Sequence, residues 1–492
     1  MFKKIYFDDG AKGLLVVLLG SQLFLTNGIY LFVGFICFGW LLYNLQQPFK
    51  PSIFTIIFLY HFIQISAWIW LSNYLGKDIN YKSPNSGTAV ITSYIGLFFL
   101  FVPVIYYQNK LPVISKAVLL KHAERLDLGK TFRVYVIAFF VTNALAGIAL
   151  GISGLSQIIL SFVKIKWFFF ILFGLQVVLK KRMKKEFYIF IAIEFLLGFF
   201  SFFSEFKTVI FFLSFIALSF LSKVYLRQLI LTILVVIAGF FLGAFWSSIK
   251  GEYRGFLNQG SQTQTVQVSR NDALKKILEL SEKQDQSSFD LSVITLLDRL
   301  QYTYHLAKAM DWVPEKLPYQ NGDNWALTLN FALTPRLLNP DKPKYEASSK
   351  ATKYTGIGYA GAGQGVSVSL GYFADGYVDF GYVGMFMPLL LIGILYGVTY
   401  FYFVKHSSNN FIFNYAVVGA MFMEFMALEM DSTYLAGRLF ATLLTFFGLK
   451  IFFFPWLIQH LQQQKTEVNS KTSLLENTGI TKKNNPATNN LN

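Results

Sequence analysis

Cysteine is almost missing. The chain has 492 residues and one cysteine, Cys37, which lies in an apolar run. That excludes a disulfide scaffold and any cysteine metal site. Charge is also scarce, at 14% of residues, where soluble chains carry about 25%. The five histidines, His61, His122, His305, His406 and His460, are scattered without metal-ligand spacing. No strand–loop–helix frame with a Walker lysine is present, so P-loop phosphate binding is excluded. No nucleophilic serine or cysteine arrangement stands out. No internal repeat is visible, which weighs against an inverted-repeat transporter.

What is abundant is apolar: 54% of residues are hydrophobic and 18% aromatic. Runs of about 20 apolar residues recur along the chain, each long enough to cross a bilayer. The expected fold class is an all-α polytopic membrane protein of about 12 transmembrane helices with one large, partly helical outer loop late in the chain. Spans are expected near 13–26, 28–43, 53–75, 88–107, 132–151, 155–179, 186–203, 208–221, 228–247, 378–403, 411–430 and 437–457. Residues 13–43 fit two short spans or one long one. Four regions follow: an N-terminal bundle of about nine spans (1–247), the large loop (248–377), three C-terminal spans (378–457) and a polar tail (458–492) expected to be disordered. Lys3 and Lys4 precede an apolar stretch with no cleavage site, which reads as a retained first span.

The net charge is +16, yet the loop 248–377 holds 14 Lys/Arg against 13 Asp/Glu. The excess therefore sits in short inter-helix loops, among them the KKRMKK run from Lys180. This is the positive-inside pattern, not a nucleic-acid footprint. It puts both termini in the cytoplasm and the large loop outside, in the periplasm or its equivalent. Within the loop, 268–312 shows helical apolar spacing. Residues 313–377, with five prolines and a glycine-rich run, read as loop.

Some cations break the orientation rule. Lys164 and Lys166 lie 16 and 14 residues before Lys180, about 21–24 Å along a helix and so toward the outer face. Lys207, Arg254 and Arg438 fall at the same level. One reading is snorkelling to the interface, with Glu205, Glu252 and Asp431 as partners. The other is a shared anion site at the outer headgroup level, where arginine binds phosphate with paired donors and lysine as a point charge. Glu194, Glu424 and Glu429 lie within or beside spans and are expected to face a cavity or a partner. Glu194 is placed to hold the bundle together. Glu424 and Asp431, seven apart, are expected on one helix face.

The segment Asn324–Gly384 carries a family resemblance. Pro335-Arg336 is followed by Asn339-Pro340-Asp341-Lys342-Pro343, then by VSVSLG. Next comes Asp375-Gly376-Tyr377-Val378-Asp379-Phe380-Gly381, running into an apolar helix. With the late outer loop, this resembles the Wzy-type oligosaccharide repeat-unit (O-antigen) polymerases. It departs from them in carrying Asp375 where the family has glutamate. The resemblance implies a reaction: a glycan on undecaprenyl diphosphate is transferred to a second lipid-linked repeat unit, with no cofactor and no metal. It implies partners as well, namely the lipid-linked oligosaccharide, the bilayer, a flippase and chain-length regulators.

Such chemistry needs cations on the leaving phosphate and a base for the acceptor hydroxyl. The candidates are Asp375, Asp379 and Arg336 for catalysis. Arg254, Lys207, Arg438, Lys342 and Lys164 are candidates for the diphosphate, and Tyr377 and Tyr372 for sugar. A ligase-like glycosyltransferase and a lipid-linked oligosaccharide flippase or transporter are the competing readings.

Overall fold

The computed structural model describes residues 4–149, 162–199, 206–260, 267–282, 286–334, 339, 345–361, 367–426 and 428–462. The helices in chain order are α1 Asp9–Ser21, α2 Gly28–Leu45, α3 Ile53–Tyr74, α4 Ser86–Asn109, α5 Lys116–Glu124, α6 Leu128–Ala149, α7 Ile165–Lys180, α8 Lys184–Phe199 and α9 Phe206–Ser219. They continue with α10 Leu226–Leu257, α11 Arg270–Glu282, α12 Gln286–Leu300, α13 Thr303–Trp312, α14 Asp323–Leu333, α15 Ala347–Thr355, α16 Tyr372–Gly384, α17 Phe386–His406, α18 Phe411–Phe422, α19 Ser432–Phe452 and α20 Phe454–Leu461. A two-residue parallel ladder, Tyr6–Phe7 with Lys223–Val224, is the one sheet among the described residues.

Among the described residues, seven helices are long and apolar enough to cross a membrane: α2, α3, α4, α6, α10, α17 and α19. Two shorter apolar helices accompany them, Phe206–Ser219 and Phe411–Phe425. Their placement follows from how much of each circumference is apolar. Helix α3 is apolar nearly all round and forms the hub, with Phe54, Phe58, Ile65 and Trp68 fully enclosed. Helices α4 and α17 pack beside it at close range. A Cβ on Gly393 would lie 2.3 Å from the Leu100 carbonyl oxygen, and one on Gly397 would lie 3.0 Å from that of Pro103. Small residues four apart let two backbones meet where lipid offers no hydrophobic drive. Helix α10 lies at the rim, only 11% of its apolar window buried. Its 32 residues span about 48 Å, well beyond the ~30 Å hydrocarbon layer. Its last turns therefore project past the apolar zone, carrying Lys250 and Arg254.

Several expectations need correction. The helix expected to end at 247 continues through Leu257. Residues 313–377, read as loop, contain α14, α15 and the start of α16. The prolines there separate the helices and leave their interiors intact. The span expected at 411–430 stops at Phe422, with one 3₁₀ turn at Met423–Phe425, and helix resumes only after Asp431. Glu424 and Asp431 thus do not share a helix face.

Lys166 is not at an outer site either. It is buried, 3.0 Å from Glu194 Oε2, and Tyr135 Oη donates to Glu194 Oε1 at 3.2 Å. This pair joins α6, α7 and α8, so Glu194 holds the bundle together as expected. Removing one partner leaves a buried charge unpaired. Glu194→Leu should cost about 3–5 kcal/mol, and Lys166→Met/Glu194→Leu together should recover most of it. Thermal unfolding in detergent measures both, and a single variant as stable as the parent would sink the assignment.

Candidate functional site

The break between α18 and α19 organises the site. Phe425, Met426, Leu428 and Met430 are buried, and their backbone is irregular. Irregular backbone inside a membrane bundle survives only where protein satisfies its polar groups. Three neighbours do so. Gln64 Oε1 on α3 accepts from Leu428 N at 2.7 Å, the Met430 carbonyl accepts from Tyr372 N at 2.8 Å, and Asp375 Oδ2 accepts from Ser432 N and Oγ, both at 2.7 Å.

Around that break lies a buried acidic cluster. Asp431 caps α19 with Oδ1 accepting from Tyr434 N at 2.9 Å, while Tyr345 Oη donates to its other oxygen. Asp375 approaches the same helix end. Two carboxylates at one helix N-terminus are favoured by its partial positive charge and opposed by each other. Lys350 offsets the repulsion, with Nζ 2.8 Å from Asp375 Oδ1. Burial works against the charge on Lys350, but Asp375 and Asp431 outweigh it and hold the amine above the usual lysine value. Burial, then the charge of Asp375, pushes the Asp431 carboxyl upward.

Asp379 does parallel work one turn further along α16. It accepts from Asn324 Nδ2 at 2.6 Å and from Trp325 N at 3.0 Å. It therefore caps α14 from a different helix, which suits an N-cap, Gly322, that has no side chain of its own. Burial raises its carboxyl despite these donors.

The second feature is cationic. Lys207 on α9, Lys250 and Arg254 on α10, and Arg299 on α12 share one electrostatic neighbourhood with Glu429. Lys207 and Lys250 each feel Glu429 as an attracting charge and Arg254 and Arg299 as repelling ones, and both Lys207 and Glu429 are exposed. Next to it opens a cavity of about 230 Å³, lined in part by Tyr60, Lys164, Thr208, Glu424 and Arg438. Lys164 Nζ lies 2.6 Å from Glu424 Oε2. Tyr60 lines the cavity and also senses Glu429, and Thr208 follows Lys207 directly, so cavity and cation group adjoin. Its walls are otherwise apolar, including Trp167, Phe211 and Phe212. The arrangement can hold an anion at the mouth of a greasy groove. Among the described residues, no group of three or more His, Cys, Asp or Glu could hold a metal ion.

The fold thus gathers Lys207 and Arg254 at one station, and Lys164 and Arg438 at the next. It does not bring Asp375 or Asp379 to a surface: both are fully buried and act as helix caps. Tyr372 and Tyr377 are also core residues, not a sugar platform. Tyr372 Oη meets His61 Nε2 at 2.7 Å, and Tyr377 Oη donates to the Val313 carbonyl at 2.9 Å. Arg336 and Lys342 lie outside the described residues.

Sequence reasoning missed Lys250, Arg299 and Lys350. Arg299 shares a helix with Asp298 and reads from the sequence as structural, but adjacent helical residues do not face each other. Asp298 instead sits 3.7 Å from Lys82.

The described residues form an all-α chain whose long apolar helices suit a membrane protein, with a charged groove among them. A family model described as a domain of unknown function (DUF8712) matches residues 94–422, more than half of the chain, and the chain belongs to that family. No curated protein and no solved structure matches it.

The acidic cluster makes stability fall as pH rises. A carboxyl raised in the folded state binds its proton more tightly than in the unfolded chain. Stability is then lost as pH climbs from the usual aspartate value of 3.8 through the raised value of Asp431. Asp431→Asn should flatten that limb in chemical denaturation followed across pH, and an unchanged profile would refute the assignment. Asp379→Ala should cost about 1–2 kcal/mol, the scale of a lost cap, and should open α14 to proteolysis before the rest of the chain.

Proposed function

We infer that this protein is a membrane glycosyltransferase that polymerises undecaprenyl-diphosphate-linked oligosaccharide repeat units into a surface polysaccharide. The observation that carries this reading is the grouping of Lys207, Lys250, Arg254, Arg299 and Glu429 in one electrostatic neighbourhood, beside an apolar groove that holds Lys164 and Arg438. A soluble anion needs no apolar groove, and a neutral lipid needs no surplus cations. A lipid-anchored diphosphate needs both. The motif resemblance around Pro335-Arg336 and Asp375–Gly381 supports the same class. The reading takes the apolar helices as about twelve spans in a bacterial inner membrane, with both termini cytoplasmic and the cation group on the periplasmic side.

In this proposal the bond between the donor sugar's anomeric carbon and the phosphate oxygen breaks. A bond from the acceptor hydroxyl oxygen to that carbon forms, and the lipid diphosphate departs with the bonding electron pair. Arg254 and Arg299 present paired donors to the phosphate oxygens, while Lys207 and Lys250 act as point charges. Glu429, the exposed carboxylate at this station, takes the proton from the acceptor hydroxyl. Asp375 and Asp431 fix the backbone that presents it, and Asp379 caps α14. A flippase and chain-length regulators are the proposed partners.

Reconstitution in liposomes with a diphosphate-linked repeat unit tests the reading, with chain length read on gels. Long chains should form without another protein. Arg299→Ala or Lys250→Ala should slow chain growth about 10²-fold, the scale of one lost oxyanion donor. Lipid movement across the bilayer without chain growth would favour the flippase. Transfer only to a non-lipid-linked acceptor would favour the ligase.

A further inference from the structure

A second cavity, of about 370 Å³, lies against α15, away from the groove. Its volume falls in the range of small-molecule sites, roughly 300–1,000 Å³. Its wall is mostly apolar in area yet carries several polar groups, from Glu346, Ser348, Ser349, Thr352, Lys353 and Tyr359, together with Gly361. One carboxylate and one ammonium cancel, so nothing there selects a polyphosphate. The remaining groups are hydroxyls and one aromatic ring, which suit a polyhydroxylated ligand with an apolar ring face.

The cavity is built by local backbone chemistry. Helix α15 ends at Gly356 in the left-handed region, φ 68°, where a Cβ would lie 2.5 Å from the Trp312 ring. The chain can therefore turn back along α15, and Tyr359 N donates to Thr352 Oγ1 at 3.2 Å. Gly361 then passes so close that a Cβ would sit 2.7 Å from Glu346 Oε1. Ser349 Oγ donates to the other oxygen of Glu346 at 2.9 Å. Tyr359 Oη is fixed by His305 Nδ1 at 2.9 Å. Burial lowers His305 to about 4, so it orients the ring at neutral pH without adding charge.

A path of rings leads from this cavity toward the cation group. Tyr359 and His305 have centroids 5.6 Å apart, and His305 and Tyr302 have centroids 4.8 Å apart. Tyr302 in turn lies in the electrostatic neighbourhood of Glu429, Asp431 and Tyr359. We propose that the cavity between α15 and Tyr359–Gly361 is a saccharide-binding subsite for the acceptor glycan, whose chain runs along Tyr359, His305 and Tyr302 to reach Glu429. This deepens the transferase reading and rests on it for the word acceptor, while saccharide binding itself can be measured independently.

The test uses the full chain in nanodiscs. The lone native thiol, Cys37, is buried, so Ser349→Cys supplies one accessible label site. The probe is oligosaccharide released by mild acid from the host cell's own surface polysaccharide. It should slow maleimide labelling of S349C severalfold, while lipid diphosphate alone should not. In the liposome assay, Ser349→Trp should raise the KM for acceptor about tenfold, the scale of one lost good contact, with kcat nearly unchanged. Labelling that ignores saccharide, or protection by lipid diphosphate alone, would overturn the subsite. So would wild-type acceptor KM in a chain-forming S349W protein. Should S349W not fold, the labelling result alone decides. Saccharide protection without any chain growth by the parent protein would keep the subsite and remove the transferase reading.

Discussion

The structure depends on keeping a stretch of non-helical backbone buried between α18 and α19. Its peptide groups lose their intrahelical partners inside an apolar bundle, and each unsatisfied group there costs several kcal/mol. Gln64, the backbone of Tyr372 and the carboxylate of Asp375 meet that demand. The consequence is positional. The same short stretch sends Glu424 into the groove, Glu429 among the cations and Asp431 into the acidic cluster. Three carboxylates within eight residues thereby serve three different surroundings.

That arrangement explains why the buried acids are so numerous. Asp375, Asp379 and Asp431 each satisfy the N-terminus of a helix that begins inside protein, α19 or α14. A carboxylate suits such a position because the N–H groups and the helix dipole both favour negative charge. Lys350 then ties α15 to α16 through Asp375 and to the start of α19 through Ser432 Oγ at 3.4 Å. Residues that look like general bases in the sequence are the braces that hold the exposed groups in place.

The segment that carries α14 and α15 is joined to the helix bundle by polar contacts as well as by packing. Thr328 of α14 lies within 3.0 Å of Ser432 Oγ and Thr433 Oγ1, and Tyr354 donates to Asn324. Hydrogen bonds of this kind are individually modest, but every partner here is buried, so losing any one leaves an unsatisfied group. The segment is therefore a fixed wall of the site. The cavity on its far side keeps its shape because Gly356 and Gly361 allow close backbone approach.

The sequence alone determined the class of protein and much of its helical order. Apolar runs of span length and a basic bias in short loops are local properties, and both are legible in one dimension. Glu194 as a bundle brace was also legible, since a lone mid-span acid must find a partner. The placement of the site was not. MEFMALEM is built of good helix formers, and only tertiary hydrogen bonds stop the helix at Phe422, overriding propensity. Asp375 and Asp379 resemble catalytic acids in sequence, because burial depends on what packs around them. Arg299 reads in sequence as a structural residue, and only the packing of α12 brings its charge to bear on Lys207 and Lys250. Tertiary structure decided which charges meet, since that depends on distances between helices that no local pattern encodes.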